Sequence, residues 1–486
     1  MENEEKHASK GIIVWFRRDL RLTDNPALHE AVERGLPIIC TYLWAPEEEK
    51  PWQPGGATKW WLHYSLESLQ KSLGSHHHKL IIRKTDSSQK ALEKLLDETG
   101  FDAVYWNRLY DPKIRERDTQ IKEALKNSGI EARSFNGSLL YEPHQIETKA
   151  GDPFKVFTPF WKECQKQEKL PLPLDEPTPM HKPEKFPDGL GLSDLKLLPK
   201  IRWDEGLEDA WTPGESAAME QLDSFIGERV KSYKSKRDLP AVVGTSRLSP
   251  HLHFGEISPR QIYHAVQNRT GGEGARKFLA EVGWREFAHH LLYHFPKTPD
   301  TPLRPEFEDF PVQYSEEYIT AWQKGQTGYP IVDAGMRELW HTGWMHNRVR
   351  MIVASFLVKH LLQTWEEGAR WFWDTLADAD LANNTLGWQW SAGCGADAQP
   401  YFRIFNPMLQ SEKFDSKGEY VRRWVPEIAD LPTKHLHKPW EAPDDVLEEA
   451  GVKLGETYPK PLVDHFKSRD RALAAFEKIK KPSKKN

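Results

Sequence analysis

Between residues 11 and 136, short runs of β-branched and aromatic residues alternate with longer segments of helical periodicity. Gly11–Phe16, Leu36–Leu43, Leu80–Arg83, Ala103–Trp106 and Ile130–Phe135 read as strands, and 57–73, 87–99 and 112–127 read as helices. Strands separated by helix-length crossovers run parallel, and the helices must then cover both faces of the sheet. The expectation is a Rossmann-like α/β domain with a five-stranded parallel sheet over 11–136. No Gly-x-Gly-x-x-Gly follows the first strand, so the usual dinucleotide fingerprint is missing. In its place stands a charged loop, Arg17-Arg18-Asp19-Leu20-Arg21-Leu22-Thr23-Asp24-Asn25-Pro26-Ala27-Leu28. Asp24 or Asn25 can cap a helix with Pro26 in its first turn, and the loop reads as held by internal salt bridges.

Residues 137–213 form a long connection with seven prolines between 171 and 199. Such a density excludes continuous helix or central strand and predicts an ordered linker wrapping the surface. From 214 to 475 the periodicity is helical, opening at Glu215-Ser-Ala-Ala-Met-Glu-Gln-Leu with apolar positions three and four apart. Residues 476–486 read as a basic tail. The three cysteines are far apart and odd in number, which implies neither a disulfide framework nor a metal site. No run of 18 apolar residues is present, and the charged N-terminus lacks the apolar stretch of a signal peptide. A cytoplasmic protein without a membrane span is expected. Net charge is −5, so any contact with nucleic acid must come from a local basic patch.

Tryptophan is the compositional outlier, with 20 residues in the chain and seven of them between Trp340 and Trp390. The stretch Asp378-Ala-Asp380-Leu-Ala-Asn-Asn384-Thr-Leu-Gly-Trp388-Gln-Trp390 combines two carboxylates, three amides and two large rings. Its Asx cluster and glycine disfavour a helix interior, so it reads as a bent, buried segment offering polar groups and rings to something flat. A helix beginning near Trp340 is expected to place Trp344, Asn347, Arg348 and Met351 on one face, at i, i+3, i+4 and i+7. That mixture of polar and apolar groups suits a cavity wall better than a core. The run Thr245-Ser246-Arg247-Leu248-Ser249-Pro250, ahead of a helix near Pro259, offers hydroxyls and a guanidinium of the kind that hold phosphate. Phe278-Leu-Ala-Glu281-Val-Gly-Trp284-Arg285-Glu286-Phe287 sets Glu281 and Trp284 on one helical face.

These segments resemble the DNA photolyase and cryptochrome family. The loop after the first strand resembles the family's opening, and Trp388-Gln-Trp390 followed by Ser-Ala-Gly-Cys-Gly-Ala-Asp-Ala-Gln-Pro-Tyr-Phe-Arg-Ile-Phe-Asn-Pro resembles its flavin signature. The similarity covers 11–136 and 214–445 and is strongest to bacterial cyclobutane pyrimidine dimer photolyases of class I or class III. It implies an α/β antenna domain, a linker and an all-helical FAD domain, acting as a monomer on UV-damaged DNA. It further implies that Tyr233, Thr245, Ser246, Arg247, Leu248, Ser249, Phe278 and Arg285 surround the FAD, with Arg350 toward Asp378 beneath the ring. Asp380 would hydrogen-bond the ring and Asn384 would face its N5 atom. Glu281, Trp284, Asn347, Arg348, Met351, Trp390 and Arg403 would receive a flipped-out dimer and its phosphates. The cleaving electron would come from excited reduced FAD, replenished through Trp388 and Trp365, so no acid–base triad is called for.

Two positions choose among subfamilies. Plant cryptochromes typically carry Asp where this chain has Asn384, and repair of (6-4) photoproducts needs a histidine where it has Asn347 and Met351. Both features imply dimer repair; a blue-light receptor without repair activity is the main alternative. An ordinary flavoprotein oxidoreductase is a third reading, disfavoured because no nicotinamide fingerprint is present. Two departures stand out. The usual surface tryptophan of the electron chain falls at Val312, leaving Tyr314, Trp322, Trp371 and Trp373 as substitutes. The folate-contacting pair falls near Lys113 and Ile114, so a methenyltetrahydrofolate antenna would need a differently built site.

Overall fold

The structure, a computed structural model, describes residues 10–167, 169–398 and 402–480. Five parallel strands, β1 (Ile12–Phe16), β2 (Ile38–Trp44), β3 (Leu80–Lys84), β4 (Ala103–Asn107) and β5 (Glu131–Phe135), form one sheet in the order β3-β2-β1-β4-β5. Ile12 pairs with Ile38 on one side and with Ala103 on the other. The two-residue alternation of a strand separates the sheet faces cleanly. Ile12, Val14 and Phe16 pack with α1 (Pro26–Glu33) and α2 (Gly56–Ser75), whereas Ile13 and Trp15 pack with α3 (Ser88–Thr99) and α4 (Pro112–Asn127). The parallel α/β expectation holds, with element ends displaced by at most two residues.

The first face is shared with the rest of the molecule. Trp60 and Trp61 of α2 are fully buried in a cluster that also contains Trp211, Phe254 and Ala377 from the helical part. The charged loop after β1 strengthens this junction. Arg21 is 1% exposed and donates to the carbonyls of Asp24, Gly137 and Gly255 at 2.6–2.8 Å. Asp24 accepts from Ser258 and Arg260, and Glu215 accepts from the backbone of Leu22 and Thr23. The loop is therefore bonded to the helical part, not only to itself. Asn25, rather than Asp24, caps α1, accepting from the Leu28 amide.

The proline-rich stretch is ordered by the sheet's spare backbone groups: the Ile38 amide donates to His181, and the Leu190 amide donates to Ile82. α5 (Phe157–Cys164) interrupts it and packs on the long helix Gly272–His294. The last helix, His465–Lys480, extends through the first part of the expected tail. Residues 481–486 lie outside the described residues. No helix among the described residues is long and apolar enough to cross a membrane.

Candidate functional site

The stretch expected to bend is a helix, Leu381–Ala392. Its carboxylate and amides are harmless there because they fall at the first turn, where free backbone amides need acceptors. Asp380 is the N-cap and accepts from the Asn383 amide at 2.8 Å. Gly387 is exposed, and a Cβ placed on it would meet nothing within 4 Å. The helix brings together Asp378, Asp380, Asn384 and Trp388. The Arg350 guanidinium donates to both Asp378 oxygens, at 2.8 and 3.1 Å, and to the Met345 carbonyl. Burial would raise the Asp380 carboxyl, but His289, 3.4 Å away, with Arg285 and His253 beyond it, holds it well below the usual carboxylate range. Asn384 donates its amide to the Ala369 carbonyl at 3.0 Å, while its own side-chain oxygen has no donor among the described residues.

Trp388 is 2% exposed and lies across the helix Trp365–Thr375 at Gly368. A Cβ on Gly368 would sit 2.0 Å from the Trp388 ring. Gly368→Ala gains about 1 kcal/mol of helix propensity, but overpacking a core typically costs 1–3 kcal/mol or more. The 2.0 Å overlap belongs at the upper end of that range, so net destabilisation of about 2 kcal/mol is expected from the variant, together with displacement of Trp388. Thermal denaturation and the near-UV tryptophan spectrum check both effects. The nearest rings to Trp388 are Phe372 at 4.9 Å and Trp322 at 6.1 Å between centroids. Trp322 is buried and donates to the Val353 carbonyl. Trp365 is also buried, while Trp371 stacks on the half-exposed Trp340 at 5.8 Å and 9°. Val312 and Tyr314 are exposed, and Trp373 meets Trp52 edge-on at 5.4 Å.

Thr245, Ser246, Arg247, Leu248 and Ser249 form a loop before a short helix, Ser249–His253, which precedes the one expected near Pro259. Arg247 has φ +55° and lies over Trp211 and Trp344, 4.4 and 4.9 Å from their ring centres. It has no carboxylate within ion-pair distance among the described residues, Glu338 acting on it only from farther off, and its buried Nε makes no hydrogen bond. Burial lowers its pKa, and a bound anion would offset that cost. Tyr233 and Phe278 meet edge-on at 5.4 Å, both buried, and Arg285 donates to the Ser138 carbonyl. Arg247 without an anion and Asn384 with a free acceptor suit the phosphates and ring edge of FAD.

The helix expected to run from Trp340 through Phe356 is broken. It ends at Thr342 with Gly343 at φ +64°, and a new helix, Asn347–Ser355, starts after His346, which caps it by accepting from the Arg348 amide. Trp344 therefore leaves the face of Asn347, Arg348 and Met351 and packs on Trp211 and Arg247 instead. Asn347 is exposed and Met351 half-buried. Arg348, expected to meet a DNA phosphate, donates to Asp238 at 3.0 Å and lies 4.4 Å from the Phe414 ring centre. Glu281 pairs with Arg237 and, at 3.3 Å, with Lys277. Trp284 stacks on Phe157 at 4.0 Å and 10°, so one of its faces is already covered. Trp390 is half-buried and Arg403 exposed.

A second cleft lies where the sheet meets the helical part. It is lined by Trp15, Arg18, Tyr42, Glu49, Ile114 and His253, among others. Lys113 is not part of it: its ammonium faces solvent, 3.4 Å from Glu116.

Sequence reasoning missed His289, Arg237 and Asp238. His289 lies four residues after Arg285 on one helix, a spacing that could have paired it with that turn. Arg237 and Asp238 reach Glu281 and Arg348 across 44 and 110 residues, and no local pattern announces such pairs.

Residues 12–182 match the family model described as DNA photolyase, and residues 278–478 match that of the FAD binding domain of DNA photolyase. The chain is 50% identical to a deoxyribodipyrimidine photo-lyase of Agrobacterium fabrum, over 97% of this chain and 98% of the relative. It is 42% identical to cryptochrome-1 of Arabidopsis thaliana, over 96% of this chain and 70% of that protein. The crystal structure of a class III photolyase from Agrobacterium tumefaciens superposes with a TM-score of 0.94 at 48% identity, covering 99% of this chain and all of the other.

Proposed function

This chain belongs to the DNA photolyase and cryptochrome family, and we propose that it is a deoxyribodipyrimidine photo-lyase repairing cyclobutane pyrimidine dimers in DNA. The observation that carries this reading over its alternative is Asn384, whose side-chain oxygen is an acceptor without an acidic proton. Bound FAD supplies, once reduced and excited, the electron that opens the dimer. The chain's own residues bind, orient and exclude water. Arg247, with Thr245, Ser246, Leu248 and Ser249, would hold the phosphates, with Tyr233, Phe278 and Arg285 beside them. The Arg350–Asp378 pair would help to hold the ring. Asp380, kept ionised by His289, can only accept from it. Asn384 holds the proton at N5.

A dimer is reachable only when flipped out of the duplex, and its weakened pairing lowers that cost. Glu281 and Asn347 then meet its polar edges, while Trp284, Met351 and Trp390 form the apolar walls. Neither Asn347 nor Met351 can supply the proton that a (6-4) lesion demands. Arg348 and Arg403 take the flanking phosphates, which requires Arg348 to exchange Asp238 for DNA. Arg348→Ala is expected to lower the slope of log affinity against log salt by about 0.9, one phosphate contact's worth. Binding titrations at several salt concentrations check it, and an unchanged slope removes Arg348 from the contacts. The cleft beside Ile114 is where a folate antenna would sit, its tryptophans and Tyr42 offering stacking faces, although its Arg17 and Arg18 are already paired with Asp118, Asp111 and Glu49.

The second reading is a cryptochrome-like photoreceptor, favoured by the likeness to the Arabidopsis protein. Illumination of the FAD-loaded protein with UV-irradiated oligothymidine separates the two. Recovery of absorbance at the base band, dependent on blue or near-UV light, is the expected result. Damaged DNA left unchanged by a fully reduced, DNA-bound sample would leave the photoreceptor.

A further inference from the structure

The helix Asn347–Ser355 continues into a wider π turn, Phe356–His360, which ends a short distance before the buried Trp365. Lys359 in that turn is 3% exposed and has no carboxylate within ion-pair distance among the described residues. Burying a charged amine is costly unless something offsets it, and the Lys359 side chain makes one hydrogen bond among the described residues. The Lys359 ammonium donates to the backbone carbonyl of Arg403 and lies 4.5 Å from the ring centre of Phe402. One turn back, the hydroxyl of Ser355, also buried, accepts from the Phe405 amide at 3.3 Å. Residues 355 and 359 thus share one helical face and fasten residues 403 and 405 of an irregular segment. Phe402 adds a ring anchor, stacked on Phe476 at 4.5 Å and 9°. Between these fastenings the Arg403 side chain is exposed, its guanidinium 5.3 Å from the Phe405 ring centre and with no carboxylate within ion-pair distance among the described residues.

We propose that Lys359 is a positioning residue for DNA binding: it holds the Arg403 backbone so that the guanidinium is presented toward a backbone phosphate. The inference rests on the reading of Arg403 as a phosphate contact. One rod then serves both ends of the interface, with Asn347 and Arg348 at its start and the Arg403 segment moored at its close. Burial pushes the Lys359 amine down to about 7, with Cys394 opposing and Arg403 adding to the effect, so holding the amine charged at this place works against folding. Stability alone would favour an apolar side chain of similar length.

That conflict supplies the test. Lys359→Met, Arg403→Ala and the double variant, each loaded with FAD, are titrated with UV-irradiated oligonucleotide over a range of salt. Arg403→Ala is expected to weaken binding several-fold at low salt and to lower the salt slope by about 0.9. Lys359→Met is expected to reproduce most of both effects while its melting temperature stays level or rises. The double variant is expected to fall no further than Arg403→Ala, because coupled residues are not additive. Parent-like binding by Lys359→Met, or losses that multiply in the double variant, would overturn the positioning role and leave Arg403 as a contact. Loss of melting temperature together with DNA affinity would make Lys359 an ordinary core residue and overturn it as well. An Arg403→Ala protein that binds like the parent would instead overturn the underlying reading of Arg403. Should Lys359→Met not retain flavin, Ser355→Ala removes the neighbouring fastening, and additivity with Arg403→Ala overturns the proposal there.

Discussion

Asn384→Asp is expected to abolish most dimer repair while leaving affinity for damaged DNA close to that of the parent. The substitution keeps the volume of the side chain but replaces an amide that donates to Ala369 with a carboxyl that either ionises or donates through a single acidic O–H. Its neighbours decide which. Asp380 is ionised nearby, and a second carboxylate on the same turn would face both that charge and partial desolvation, so the new carboxyl is expected to stay protonated. In that form it gives up a proton at the ring edge, where Asn384 can only hold one. Light-driven reduction should then stall after one electron, visible as long-wavelength absorbance that persists in the dark. Repair per bound dimer is expected to fall at least about tenfold, the equivalent of about 1.4 kcal/mol of barrier. The assay is run at equal DNA occupancy, so that binding and chemistry are read separately. Normal repair with an unchanged spectrum would detach Asn384 from the ring edge and remove the strongest reason for preferring a photolyase to a photoreceptor.

Trp388→Phe is expected to reduce the rate of flavin photoreduction to a small fraction of the parent's, the largest loss of any single tryptophan. Its ring is the one held by Gly368 and buried one helical turn beyond Asn384, and no substitute occupies that place. The next carrier is where the structure and the family pattern diverge. Trp365 is the inherited second member, whereas Trp322 makes the closer ring contact to Trp388 and is just as well buried. Transient absorption on Trp365→Phe and Trp322→Phe therefore decides between a single route and two. Slowing in Trp365→Phe alone supports the inherited route, and slowing in both supports parallel exits, one of which can end at the Trp371–Trp340 stack. Parent-like reduction in Trp365→Phe would take that residue out of the chain.

The elements were legible where periodicity and packing agree. Ile12, Val14 and Phe16 face one way and Ile13 and Trp15 the other because a strand has no alternative, and the sequence carries that alternation openly. The reading failed at Leu381–Ala392 because residue types were weighed without their position in the helix. Asp380 breaks a helix in its middle and starts one at its cap, and Gly387 costs little where it faces open space. Gly343 was a stop signal that the surrounding apolar spacing concealed. Lys277, four residues before Glu281 on the same helix, was a legible partner, but the pairs of Glu281 with Arg237 and of Arg348 with Asp238 were not, since those residues become neighbours only when separate segments pack. Two of the residues expected to meet DNA, Glu281 and Arg348, are thus engaged with Arg237 and Asp238 in the structure.

The loop that follows β1 has a bearing on modularity. Arg21 draws its three carbonyls from the loop itself, the linker and the helical part, and Glu215 and Arg260 return the connection from the other side. Excision of the helical part would leave the loop amides of Leu22 and Thr23 without the Glu215 carboxylate, and Arg21 without the carbonyl of Gly255. It would also strip Trp61 of its stack on Phe254. A chimera with a relative has the same difficulty unless the loop is transferred together with residues 215 and 255–260. The two halves differ in architecture, yet for exchange or recombination they form one unit, with a seam running through the loop rather than along the linker.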